Sequence, residues 1–160
     1  MPEGKVFVDK TRKIYNNIEL ASDCLRAMLG EFLIAQSLDH PNIIHYEYFM
    51  RKFDPKSNYY EFHILVELQR GGDMDQYISK YGATHSRIKV KQIGGQILSA
   101  LRYLHQDMQI IHKDLKPQNV LFDESHTNIK LIDLGVSNHL ERTIATKAAS
   151  QGTLRYMPPE

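Results

Sequence analysis

The stretch IIHKDLKPQNVLF, residues 110–122, sets six polar side chains (His112, Lys113, Asp114, Lys116, Gln118 and Asn119) between two apolar flanks. A chain that interrupts a buriable segment in this way either lays the polar run over its surface as a loop between two strands or brings those groups together on a ligand. The spacing within the run decides between the two, and the neighbouring elements have to be read first.

In YEFHILVEL, residues 60–68, Tyr60, Phe62, Ile64, Val66 and Leu68 alternate along one face, and NIIHYEYFM, residues 42–50, is rich in β-branched and aromatic residues. Both read as strands. The polar RKFDPKSN between them carries the turn signal Asp54-Pro55. Ahead of them, Leu25, Met28, Phe32 and Ala35 recur at helical spacing, which predicts a helix over about 20–38, ended before Pro41. Behind them, Val90, Ile93, Ile97, Leu101 and Leu104 predict a long amphipathic helix over 88–107, in which Gly94 and Gly95 cost about 1 kcal/mol each against Ala, so that packing must hold it together. After the polar run, NVLF and NIKLI flank DESHT and read as a β-hairpin. The run therefore leads from the end of a buried helix into a hairpin.

Composition narrows the class. A chain of 160 residues with 42% hydrophobic and 24% charged side chains falls in the range of one globular domain. The net charge of +1, without a run of five or six like charges, gives no basis for a nucleic-acid partner. Cys24 is the sole cysteine, so no internal disulfide forms, which fits a reducing compartment. The first thirty residues lack a secretory pattern, and no apolar run reaches the ~18 residues of a membrane span. The expectation is a soluble intracellular protein, cytoplasmic or nuclear, without a membrane partner. The eight histidines form no close ligand pattern.

His112, Lys113, Asp114 and Leu115, with Asn119 five residues after the Asp, reproduce the spacing of the protein-kinase catalytic loop with Lys in place of Arg. Lys116 and Pro117 match the version typical of Ser/Thr kinases. Asp133-Leu134-Gly135 resembles the magnesium-binding Asp-Phe-Gly, and Pro158-Pro159-Glu160 resembles the Ala-Pro-Glu that ends the activation segment. DHPNII resembles the family's exit from helix C, and VELQRGGDM its hinge. The matches cover about residues 25–160 in the family's order. The resemblance implies an α/β (α+β) two-lobe kinase-like fold, partial: a small β-sheet N-lobe with helix C over 1–66, a hinge over 67–72 and a mainly helical C-lobe over 73–160.

It also implies an activity, the transfer of the ATP γ-phosphate to a Ser or Thr hydroxyl of a protein substrate, with Mg²⁺. Such a reaction is catalysed mostly by positioning and electrostatic stabilisation. By resemblance Asp114 is the base that accepts the hydroxyl proton, and Lys116 is the cation beside the transferring phosphoryl group. Asn119 and Asp133 are the oxygen ligands of the metal. Glu67 through its carbonyl and Gln69 through its amide would hold adenine. Val66 would be the gatekeeper, Asp73 would face the ribose, and Leu121 would lie under the purine. Glu31 lies beside the apolar stripe of its helix, where a carboxylate needs a partner. The resemblance supplies a strand Lys, for which Lys5, opening KVFVDK, is the expected residue and Lys10 the second candidate.

The departures leave a second class open. No glycine-rich loop precedes the candidate strand, since Gly4 alone cannot cradle phosphates, and the chain stops at Glu160, before the further helices of a full C-lobe. The resemblance thus implies the middle of a kinase domain, truncated at both ends, with apolar surface on the 88–107 helix left uncovered. The intact Asp114, Asn119 and Asp133 favour an enzyme; the missing glycine loop favours a pseudokinase that scaffolds without turnover. Lys113 for Arg, and Ala149 at the usual acceptor position, imply that activity depends weakly on activation-segment phosphorylation, with Ser150 the best remaining acceptor.

Overall fold

The computed structural model describes residues 6–15, 17–82 and 86–133, and the backbone of 138–139. The chain divides into two compact units, one of residues 1–39 and 44–68, the other of residues 40–43 and 69–160.

The first unit holds β1 (Phe7–Tyr15), α1 (Ile18–Gln36), β2 (Tyr46–Asp54) and β3 (Tyr59–Glu67). The sheet is antiparallel with β3 in the middle, in the order β1-β3-β2. Pairing runs from Phe7↔Glu67 to Tyr15↔Tyr59 on one side and out to Asp54↔Tyr59 on the other. The stretch expected to be a turn, residues 51–58, is shorter than its polarity suggested: Arg51, Lys52, Phe53 and Asp54 all pair with β3. A sheet with one solvated face accepts polar residues there without losing ladder hydrogen bonds. The second strand accordingly begins at Tyr46, not at 42, and Asn58 (φ 48°) closes the turn. The expected alternation of β3 is also incomplete. Phe62 and Ile64 are buried as the pattern required, but so are Glu61 and Leu65 on the other face. A central strand has neighbours on both sides, and those neighbours' side chains cover it. Glu61 receives the Lys13 ammonium at 3.0 Å; that hydrogen bond holds the Glu61 carboxyl below its usual value and raises Lys13.

α1 starts where Asn17 Oδ1 accepts from the Leu20 amide at 2.8 Å, satisfying one of the orphan donors of the first turn. It buries Ala21, Met28, Phe32 and Ala35. The Phe32 ring lies 5.9 Å from Phe49 of β2. Burying a side chain of that size is worth about 1.5–3 kcal/mol, so this stripe is what holds the helix in place.

The second unit holds α2 (Met74–Tyr81), α3 (Arg87–Arg102), a π turn (Tyr103–Asp107), β4 (Ile110–Ile111), a 3-10 turn (Pro117–Asn119), β5 (Val120–Phe122), β6 (Ile129–Leu131) and β7 (Asn138–His139). β4 pairs with β7, and β5 with β6. α2 has no counterpart among the elements that periodicity predicts. It forms because Asp73 Oδ1 caps the Gln76 amide at 2.8 Å and Gly82, at φ 65°, ends it. The glycines ahead of it are dictated by close approach. Gly71 donates to the Phe122 carbonyl at 2.9 Å, and a Cβ at that position would lie 2.1 Å from the Asp123 carbonyl oxygen.

The helix expected over 88–107 is α-helical only to Arg102 and then widens into the π turn. Of its expected stripe, Leu104 is fully buried, Ile93, Ile97 and Leu101 are half-buried, and Val90 is exposed; outside the stripe, Ala100 is buried and Ile88 and Leu98 are exposed. Among the described residues, nothing outside the helix's own backbone lies within 4 Å of a Cβ built on Gly94 or Gly95, so neither glycine is required there by a close contact.

The β5–β6 hairpin turns around Asp123, which accepts from Ser125 Oγ, the amides of Thr127 and Asn128, and Asn128 Nδ2. Burial pushes the Asp123 carboxyl up, but these donors together outweigh it and hold the group below its usual value. Asn42 anchors β6: its side chain donates to the Ile129 carbonyl and its carbonyl accepts from the Leu131 amide. Among the described residues no helix is long and apolar enough to cross a membrane.

Candidate active site

The polar run of 110–122 is a convergent cluster. After β4 the backbone passes through Lys113 at φ 65°, a left-handed conformation that a non-glycine residue adopts at a cost of about 1–3 kcal/mol when the surroundings require it. Asp114 then receives Lys116 Nζ on Oδ2 at 2.6 Å and Asn119 Nδ2 on the same oxygen at 3.2 Å. Asn119 Nδ2 also donates to the Asp114 carbonyl at 2.8 Å. The 3-10 turn that begins at Pro117 makes this possible, because it folds Asn119 back over the Asp; Asn119 is buried.

A second set of bonds ties this loop to the segment before Asp133. Ile132 donates its amide to the Asn119 carbonyl at 3.0 Å and accepts on its own carbonyl from His112 Nε2, also at 3.0 Å. The other ring nitrogen of His112 accepts from the Asp114 amide at 3.4 Å. One neutral tautomer satisfies both contacts. Burial lowers the His112 pKa below its usual 6.5, and the Ile132 carbonyl opposes that shift only in part. Asp133 follows with φ 64°, a second left-handed non-glycine residue. His112 was not among the sequence candidates; its signal was its place at the buried start of the run.

In the first unit, Lys10 of β1 places Nζ 2.8 Å and 3.0 Å from the two carboxylate oxygens of Glu31. Glu31 is 7% exposed and also accepts from the Tyr46 hydroxyl at 2.6 Å. The partner that Glu31 needed is therefore Lys10; Lys5, the first choice from sequence, lies outside the described residues. Val66 and Glu67 sit at the end of β3, where Glu67 Oε1 accepts from the His45 amide at 2.9 Å. Gln69, Asp73 and Leu121 belong to the second unit, which brings Asp73 and Leu121 together as an antiparallel bridge pair. Leu134, Gly135, Ala149, Ser150 and Pro158 to Glu160 lie outside the described residues.

Among the described residues no three His, Cys, Asp or Glu side chains form a metal cluster. Asn119 and Asp133, the residues that resemblance gives to Mg²⁺, are near one another along the backbone, since the Ile132 amide that precedes Asp133 donates to the Asn119 carbonyl. An amide and a carboxylate oxygen are donor types that a small hard cation accepts.

An antiparallel sheet flanked by a helix, followed by helices and small hairpins around this loop, is a partial protein kinase fold. Residues 3–160 match the family model described as the protein kinase domain, and the chain belongs to that family. It is 34% identical over 140 residues to the serine/threonine-protein kinase PrkC of Bacillus subtilis, covering 87% of this chain and 20% of that protein. It is 32% identical over 150 residues to myosin light chain kinase A of Dictyostelium discoideum, covering 92% and 48%. With an SNF-related serine/threonine-protein kinase of Rattus norvegicus the identity is 30% over 150 residues, 92% and 19%. The chain spans less than half the length of each of these relatives.

Proposed function

We propose that the protein carrying this chain is a serine/threonine kinase that transfers the ATP γ-phosphate to a hydroxyl of a protein substrate. The observation that carries this reading is the cluster on Asp114, whose Oδ2 is held by Lys116 and Asn119 together. A carboxylate fixed by two donors is aimed, and in phosphoryl transfer an aimed acceptor for the hydroxyl proton is what the loop has to supply. As the substrate oxygen bonds to the γ-phosphorus, its proton passes to Asp114 and the bond to the β-bridging oxygen breaks, releasing ADP. Lys116 lies beside that carboxylate and stabilises charge on the transferring group. Asn119 and Asp133 would hold Mg²⁺, which when bound neutralises charge on the phosphate oxygens.

Lys10, oriented by Glu31, takes the phosphate-anchoring role that resemblance gave to Lys5. Glu67 and Gln69 would bind adenine through backbone groups, with Val66 and Leu121 as apolar walls and Asp73 toward the ribose; apolar walls with a few fixed polar groups are what such a ligand requires.

Asp114→Asn in the full-length protein is expected to lower kcat about 10²- to 10⁴-fold while ATP affinity stays near that of the wild type. The measurement is phosphate transfer from labelled ATP to a mixed Ser/Thr protein substrate, beside nucleotide titration. Undiminished turnover would overturn the assignment of Asp114, and a wild type that binds ATP without transfer would favour the scaffold.

A further inference from the structure

Tyr46 is an aromatic residue in a strand, and the alternation of β2 alone would not aim it at Glu31. Phe49, Arg51 and Phe53 pair with Ile64, Phe62 and Tyr60 of β3, and Phe49 packs on Phe32 of α1, so this is the face toward the helix. Counting back by twos from Phe49 puts Glu47, not Tyr46, on that face. The ladder is broken at that point: Tyr48 pairs with Leu65 and Tyr46 with the next β3 residue, Val66, leaving Glu47 as the extra residue of a bulge. A bulge re-aims the side chains beyond it. Here it turns Tyr46 onto the helix face, where the residue is 3% exposed and its hydroxyl donates to Glu31 Oε1 at 2.6 Å.

We propose that Tyr46 is a positioning residue for the Lys10–Glu31 pair, an inference that rests on Lys10 being the anchor of the ATP phosphates. Glu31 Oε1 accepts from both Lys10 and Tyr46, and Oε2 from Lys10. A lysine has three N–H donors, and when it turns some of them toward phosphate its hold on the carboxylate weakens. A buried carboxylate stripped of donors is strongly disfavoured. The Tyr46 hydroxyl is a neutral donor that does not leave with the substrate. It keeps Glu31 satisfied and in its rotamer, so that Lys10 can be shared between Glu31 and phosphate without displacing α1. The bulge at Glu47 is the backbone device that supplies it.

Tyr46→Phe keeps the ring and its packing while removing the donor. In the full-length protein it is expected to raise both Kd and KM for ATP roughly three- to tenfold, with kcat at saturating ATP within about twofold of wild type. In a Glu31→Gln background the same change is expected to add nothing, because the carboxylate it serves is gone. An unchanged ATP affinity in Tyr46→Phe, with or without a lower melting temperature, would reduce the residue to packing and overturn the proposal. So would equal, additive losses in the two backgrounds. Lys10→Met is the control: if it leaves ATP affinity unchanged, the anchor reading itself falls and this inference with it. If it abolishes binding while Tyr46→Phe does nothing, only the role of Tyr46 is lost.

Discussion

The two units treat their principal helices differently. α1 buries a stripe of apolar side chains against the sheet, and its one buried carboxylate is met by Lys10 and Tyr46 from two different strands. α3 also follows an apolar periodicity in the sequence, yet among the described residues Ala100 is the one residue of that helix that is fully buried, and the close polar contacts around Asp114 in the second unit lie between His112 and Ile132. The buried Glu31 and the buried His112 differ in the same way. Glu31 is satisfied by an ion pair, whereas His112 is satisfied as a neutral ring between the Ile132 carbonyl and the Asp114 amide. An amphipathic pattern states that a face is apolar; it does not state what covers it.

The largest effect expected from this contrast comes from paired truncations in the 160-residue chain. Phe32→Ala removes a ring that is 7% exposed, and a cost of about 3–5 kcal/mol is expected. Leu98→Ala removes a side chain that is 68% exposed, and a change within about 0.5 kcal/mol is expected. Urea denaturation of both variants measures the difference, and equal losses would break the contrast.

A smaller effect is expected from pH. Burial holds the His112 pKa below 6.5 in the folded state, so as the pH falls below that value the unfolded chain takes up a proton that the folded chain does not. Stability contributed by the neutral ring is therefore present above about pH 6.5 and lost as the pH drops toward the folded pKa. Melting temperatures measured at about pH 7.5 and about pH 5.5 should differ less in His112→Gln than in the wild type. An equal drop in both would remove His112 from this role.

The smallest effect has the opposite sign. Because among the described residues Gly94 and Gly95 meet nothing that a methyl group would strike, Gly94→Ala and Gly95→Ala should each stabilise α3 by about 0.5–1 kcal/mol, read as a higher denaturation midpoint. A loss of stability would mean that α3 is held closely at that point, and would narrow its difference from α1.

The site was legible in unequal parts. Asp114, Lys116 and Asn119 lie within one six-residue stretch, so a single short turn sets their geometry, and resemblance to the kinase catalytic loop singled them out. Glu31 was legible as a carboxylate beside an apolar stripe, but its partner was not. Lys10 is twenty-one residues away on another element, and sheet register decides which lysine reaches it. α2 was missed because its eight residues are too few to show a period, and an N-cap and a C-terminal glycine define it.

What the sequence determined by itself is local: the elements with strong periodicity, the hairpin around Asp123, the catalytic-type loop, and with them membership of the protein kinase family. What only the tertiary structure decided is which side chains meet across elements. The bulge at Glu47 that turns Tyr46 onto Glu31 and the burial of Glu61 on a strand flanked on both sides are both of this kind. The physical reason is that periodicity fixes direction relative to a residue's own backbone, while contact depends on register and on the neighbouring element, both set by the whole fold.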